Sequence, residues 1–349
     1  MDELEKERKT FESAGRLHWF HWAVVVASMV LTFSAWHVSR TSIDDKVALQ
    51  FDRYARQTVE LVIERMQKYE DGLWGGVAAI QALGGSVSYN DWLTFSTSLR
   101  LDQKYPGING IGVIHYVSPD HLPSYLAEQR RSRPDFKVHP AHDRAEYWPI
   151  TYIEPVSGNR KAVGLDMAHE TNRYLAAVRA RDSGKAQITG PITLVQDEQK
   201  KPGFLFYAPY YQGGVYDSLE QRRATFSGMV YAPFVFQKLM EGTLHQKNRQ
   251  VGIKILDEGT VLYDEHHPDM VDYDPSPLFS KRFEVDMYGR SWIFDIRSAL
   301  SFRESSISNQ PLLILLGGII IDALLLTLFI LLAHANRRAY RYIRKITGD

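Results

Sequence analysis

The side chains able to do chemistry fall into two groups. Histidines cluster as His139-Pro140-Ala141-His142-Asp143 and as His266-His267. Imidazole beside carboxylate suits zinc or nickel. The proline-containing, polar surroundings predict solvated loops instead, and no metal is assigned. The carboxylates Glu146 and Glu154 bracket an aromatic run that contains Trp148 and Tyr152, and Asp166 follows. A carboxylate among rings suits a hydrogen bond to an amine-bearing or heteroaromatic ligand, not bond cleavage. Strand alternation would place Trp148, Ile150, Tyr152 and Glu154 on one face. Two readings stay open: rings and anchor line a pocket, or the rings fill a core and Glu154 is solvated at a strand end. No HExxH, GxSxG or Walker pattern occurs, and the glycines at 107–112 precede a strand with no lysine after them. The sequence therefore assigns no catalytic residue, no cofactor and no enzyme activity. With no cysteine, disulfides and thiolate chemistry are excluded.

These residues need a scaffold, and the stretch from Glu146 to Tyr211 supplies it. It reads as strand, turn, strand, helix, strand, turn, strand. The strand at 147–153 is β-branched and aromatic, with Pro149 favouring an edge or a strand start. Gly158-Asn159 marks a turn before the apolar run 162–165. A short helix at 172–180 stops at Ser183-Gly184. A second aromatic strand spans 203–211. The expected pocket lies between the strand 147–153, the run 162–167 and the strands 188–194 and 204–210. Trp148, Tyr152 and Tyr207 are its rings, Leu165 its apolar wall and Thr193 its hydroxyl. Glu154 is the first choice of charged anchor, with Glu146 and Asp166 behind it.

Two apolar segments flank this scaffold. Residues 19–36 carry no charge and have Trp19, Trp22 and Trp36 near the ends, as in an interfacial belt. Residues 311–333 are more strongly apolar, and Arg337, Arg338, Arg341, Arg344 and Lys345 follow at once. Basic residues beside a span place that end in the cytoplasm, and two spans put the N-terminus there too. Asp322 lies mid-span, where it would pair helices across a dimer or be a tolerated polar residue. Residues 42–83 form one long helix whose stripe of Val47, Phe51, Tyr54, Thr58, Val62, Met66, Tyr69, Leu73, Val77 and Ile80 recurs every three or four positions. That stripe either meets a second subunit or packs on its own domain. Four short strands at 251–256, 260–263, 281–287 and 291–296, with a turn at Asp257-Glu258-Gly259, predict a second, smaller antiparallel domain. A formal net charge of zero gives no basic stripe for nucleic acid.

The blocks Tyr105-Pro106-Gly107-Ile108-Asn109-Gly110-Ile111-Gly112, Glu146 to Pro155, Gly164-Leu165-Asp166-Met167, Arg179 to Gly184, Ile188 to Val195 and Gly203 to Tyr211 together resemble the CHASE domain, the extracellular sensory module of cyclases and histidine kinases. The resemblance covers roughly 100–240. It implies an α/β (α+β) fold: a long helical stalk carrying two PAS-like domains, flanked by two transmembrane helices. The expected division is a cytoplasmic N-terminus at 1–18, a span at 19–38, a stalk at 39–85, a membrane-distal ligand-binding domain at 86–232, a membrane-proximal domain at 233–305, a span at 311–333 and a cytoplasmic tail at 334–349. In plant cytokinin receptors of this family an acidic side chain holds the purine. Glu146, Glu154 and Asp166 are its three candidate counterparts here. The expected protein is an inner-membrane sensor with a periplasmic or extracellular domain, a homodimer through stalk and spans. It binds a small molecule (adenine-type, amino acid or peptide) and signals to a cytoplasmic domain or protein. The alternative is an extracytoplasmic protein-interaction module with no small ligand. Few residues follow the second span, so the chain is either the sensor half of a longer receptor or a complete protein acting on a partner.

Overall fold

No proline interrupts the chain between Trp19 and Ala82, and this whole stretch is one helix, α1. Gly84 and Gly85, both at positive φ, end it. The computed structural model describes residues 19–195, 201–213, 217–244 and 249–347. They divide into two compact units: the part of α1 up to Gln50 with the segment from Glu304 onward, and Phe51–Arg303. The expected cytoplasmic N-terminus, 1–18, lies outside the described residues.

In the first unit α1 pairs antiparallel with the last helix, Gln310–Thr347. The His21 ring lies 4.8 Å from Phe329. Gly318 abuts Thr32 so closely that any β-carbon would collide with the threonine side chain. These two contacts put Asp322 level with Ser28. Asp322 is buried against its own hairpin, and its Oδ1 has no hydrogen-bond partner among the described residues. The outward faces stay apolar, with Leu31, Leu313 and Leu324 all well exposed. Both helices are long and apolar enough to cross a membrane.

The second unit begins where the α1 stripe becomes buried. Phe51, Val59, Val62, Met66, Tyr69, Leu73, Val77 and Ile80 are all covered within the chain. Phe51 stacks on Phe279 at 5.4 Å, and Tyr69 meets Phe234 at 4.9 Å. Gly76 lets the backbone approach Val230 and Trp92. Of the two readings left open for this stripe, the structure selects packing on the chain's own domain.

After α1 come α2 (Tyr89–Ser98), β1 (Ile111–His115), α3 (Leu122–Ser132), β2 (Ile150–Glu154), α4 (Thr171–Ser183), β3 (Gln187–Ile188), β4 (Ile192–Thr193), β5 (Pro202–Tyr211), α5 (Leu219–Thr225) and β6 (Phe226–Val235). Ser88 caps α2, in a reciprocal capping box with Asp91. The first sheet is antiparallel, ordered β2-β1-β6-β5-β3, with β4 also on β5. The run 162–165 is not a strand: a 3-10 turn, Arg160–Ala162, leads it past the edge of β2. One face of the sheet packs on α1 and the other on α4. β6 continues to Val235, so the expected domain boundary at 232 falls inside a strand. The helix α6 (Phe236–Leu244) leads to the second sheet, β8-β7-β10-β9, built from β7 (Val251–Asp257), β8 (Thr260–Asp264), β9 (Ser280–Met287) and β10 (Arg290–Ser298). Its hairpins turn at Glu258-Gly259 and Tyr288-Gly289, each pair at positive φ, which suits the twist of the flanking strands. The β9–β10 turn docks on the first sheet, where Ile188 N–H donates to the Tyr288 carbonyl at 3.0 Å.

Candidate functional site

The face of the first sheet beneath α4 gathers most of the unusual chemistry. Glu170 caps α4 by accepting from Asn172 N–H at 2.8 Å and Arg173 N–H at 3.0 Å, and Gly184 at φ 70° ends it. Arg173, Ala176, Ala177 and Ala180 face inward, and the alanines let the helix lie close to the strands. Leu175 points outward and is 48% exposed.

Tyr174 and Arg181 lie two turns apart on one flank of α4, and both reach Glu146. The Tyr174 hydroxyl donates to Glu146 Oε1 at 2.5 Å, and Arg181 lies 3.6 Å from Glu146 Oε2. Arg181 also sits 5.6 Å above the Trp148 ring, which packs against Tyr116, Tyr174 and Phe226. Burial pushes the Tyr174 and Tyr116 hydroxyls up, and the Glu146 charge pushes them further. The rim continues through Asp182, paired with Arg181 at 2.8 Å and Arg223 at 2.6 Å. Burial raises the Asp182 carboxyl, but hydrogen bonds from Arg223 and Arg181 hold it below its usual range.

Below this rim, Tyr207 and Tyr231 are opposite partners across β5 and β6. Their hydroxyls, and Trp148 Nε1, are buried without a hydrogen-bond partner among the described residues. Arg173 Nε is also unbonded, 3.8 Å from Glu170, while its NH2 donates to the Thr193 carbonyl at 3.2 Å. Burial pushes the hydroxyls of Tyr207 and Tyr231 far up, and the nearby Arg173 charge only partly offsets it. Each such unmatched group costs about 1–3 kcal/mol.

The structure divides the eight residues that the sequence reading placed in one pocket. Trp148, Leu165 and Tyr207 share one core, with Glu146 at its rim. The Thr193 side chain is exposed at the nearby sheet edge. Asp166 is fully buried and committed: Oδ1 accepts from Trp148 N–H at 2.9 Å and Ala168 N–H at 2.8 Å, and Oδ2 meets His142 at 3.0 Å. His142 and His139 are therefore packed rather than solvated, His139 through the Val163 carbonyl at 3.1 Å. Tyr152 and Glu154 are on the other face. A register shift opposite Val113 and Ile114 leaves Thr151 as an extra residue, so Ile150 and Tyr152 point to opposite sides. There Glu154 accepts from Tyr89 at 2.8 Å and from Val156 N–H at 3.2 Å. The one-face expectation fails because of that bulge. Arg173, Tyr174, Arg181, Tyr116 and Tyr231 escaped the sequence reading. The seven-residue spacing of Tyr174 and Arg181 was the available signal, since it puts both on one helical flank.

Comparison with known families bears directly on this sheet. The model of the CHASE domain family matches residues 85–267. The chain belongs to the CHASE domain family. The match exceeds the range expected from the motif blocks and takes in β7 and β8 of the second sheet. Among solved structures, the periplasmic sensory domain of the Campylobacter jejuni chemoreceptor Tlp1 is similar at 12% identity and a TM-score of 0.41, over 76% of this chain and 97% of that one. The ligand-binding domain of Mlp24 with asparagine is similar at 13% identity and a TM-score of 0.36, over 76% and 98%. That of the Pseudomonas aeruginosa amino acid chemoreceptor PctC, in complex with GABA, is similar at 12% identity and a TM-score of 0.34, over 73% and 98%. No curated protein matches the chain. The CHASE domain is thus a sensory module carried between two long apolar helices.

Proposed function

We propose that this protein is a membrane-anchored extracytoplasmic sensor whose CHASE domain binds a small ligand between α4 and the first sheet. The observation that supports this reading most is the row of unmatched buried donors, Trp148 Nε1, Tyr207 OH, Tyr231 OH and Arg173 Nε, under a rim of paired charge. Glu146 and Arg181 offer a carboxylate and a guanidinium side by side. That pair matches a ligand with both an amine and an acid group, and Trp148 offers it a ring. An amino acid or a short peptide fits first, and an adenine-type molecule fits the ring alone. Glu146 takes the anchoring role here, because Glu154 is on the other face and Asp166 is committed to the loop. Trp148 is fully buried, so entry requires the rim of α4 to lift. The helices α1 and Gln310–Thr347 would carry that shift to a cytoplasmic domain or partner, and two copies would meet through the uncovered faces of the membrane helices.

The test is a thermal-shift screen of the detergent-solubilised full chain with amino acids, short peptides and adenine derivatives. One class should raise the melting temperature. Calorimetry on that ligand should then show Glu146→Gln and Arg181→Gln weakening binding by roughly tenfold to a hundredfold, as for a lost charge-assisted hydrogen bond. Unchanged affinity in both variants overturns the site, and no stabilising ligand in any class overturns the sensor reading in favour of a protein-interaction module.

A further inference from the structure

Beyond the edge strand β2 runs an open groove of about 830 Å³, lined among others by Arg133, Lys137, His139, Arg160 and Lys161, with Asp135 as its one carboxylate among the described residues. Its two walls are pinned together. His139 N–H donates to the Gly164 carbonyl at 3.0 Å, and Asp166 N–H returns to the His139 carbonyl at 2.8 Å. Gly164, at φ 79°, permits this approach, since a β-carbon there would strike the Lys137 carbonyl. The segment carrying Lys137 is thereby set against the one carrying Arg160 and Lys161 by backbone that does not depend on their charge.

Among the described residues the cations Arg133, Lys137, Arg160 and Lys161 lack partners of opposite sign. Arg133 donates to the Thr151 carbonyl at 2.6 Å and to the Gln129 side chain, and lies 4.6 Å over Phe136 and 5.1 Å over Tyr152. All of these neighbours are neutral. No ion pair reaches Arg133, Lys137, Arg160 or Lys161 among the described residues. Like charges gathered without counter-charge repel, and a bound anion would relieve that. Guanidinium forks and ammonium groups together match phosphate oxygens.

We infer that this groove is a second binding site, for a ligand carrying a phosphomonoester or diphosphate group. Four cations against one carboxylate favour a polyvalent anion over a singly charged one. Such a group could belong to a free diphosphate or to a phosphorylated lipid headgroup, and two probes separate these.

The experiment is calorimetry on the full chain in a non-ionic detergent, titrated with inorganic pyrophosphate and, separately, with a soluble short-chain phosphatidic acid. The parent should bind at least one probe saturably, more weakly as salt rises. The double variant R160Q/K161Q, changed only at exposed positions, should lose at least about tenfold in affinity. R282Q, on an exposed side chain of the second sheet, should not. Pyrophosphate alone binding assigns the free anion; phosphatidic acid alone binding assigns the headgroup. Saturation by neither probe, or equal affinity in parent and double variant, overturns the inference. Since Glu146 and Arg181 are untouched, this result is independent of the α4 site.

Discussion

His115 lies at the end of β1 with its Nδ1 2.6 Å from the Thr151 hydroxyl, close to the rings of Tyr125 and Tyr152. Burial pushes its pKa down to about 4, and the Arg133 charge adds to the effect. The folded domain therefore keeps this imidazole neutral, whereas the unfolded chain protonates it near 6.5. Between those values the unfolded state binds more protons, so the stabilisation is complete above about pH 6.5 and is lost as pH falls towards 4. The melting temperature should drop across that window, and His115→Gln should flatten part of the drop. A parent and variant with parallel profiles would mean that His115 takes up its proton in the folded state as easily as in the unfolded one.

At the scale of elements, α1 shows how an apolar stripe finds its partner. From Phe51 to Ile80 it packs on both sheets in turn, against Phe279 near its start and Phe234 further along. Met66 is fully buried and Val62 nearly so. A carboxylate at either place would be buried without a partner, at a cost of several kcal/mol. Met66→Asp and Val62→Asp should each lower the melting temperature of the detergent-solubilised chain by many degrees. Variants that melt like the parent but no longer crosslink between subunits would return the stripe to a dimer interface. The β2 bulge acts on the same scale. One extra residue at Thr151 sends Trp148 and Ile150 towards α4 and Tyr152 and Glu154 towards Tyr89 of α2, so it separates two sets of side chains that neighbour each other in the chain.

For the whole molecule, the defining feature is a sensory domain between two apolar helices that pair antiparallel. The basic cluster from Arg337 to Lys345 next to the second predicts a cytoplasmic end there. Alkaline phosphatase fused after Asp349 should be inactive, and the same reporter fused after Ser308, before the second helix, should be active. Activity at both points would leave only one helix crossing the membrane.

Much of this architecture was legible in the residues. Uninterrupted apolar stretches mark the two helices long and apolar enough to cross a membrane, because length and absence of charge are local properties. Glu258-Gly259 marks its hairpin because positive φ is a demand on single residues. The stripe on α1, the helix α4 and the ordered motif blocks of the family could also be read directly. Folding settled matters that depend on partners distant in the chain. Periodicity shows that Val62 and Met66 share an apolar face, but not whether that face meets another subunit or the chain's own sheets. Alternation assumes regular pairing, and the bulge at Thr151 exists only in the register of β2 against β1. Glu146 stood behind Glu154 as a candidate anchor until α4 brought Tyr174 and Arg181 to it, while Asp166 was taken up by His142 and two backbone amides. A carboxylate's chemistry is set by the donors around it, and those donors are gathered by the fold.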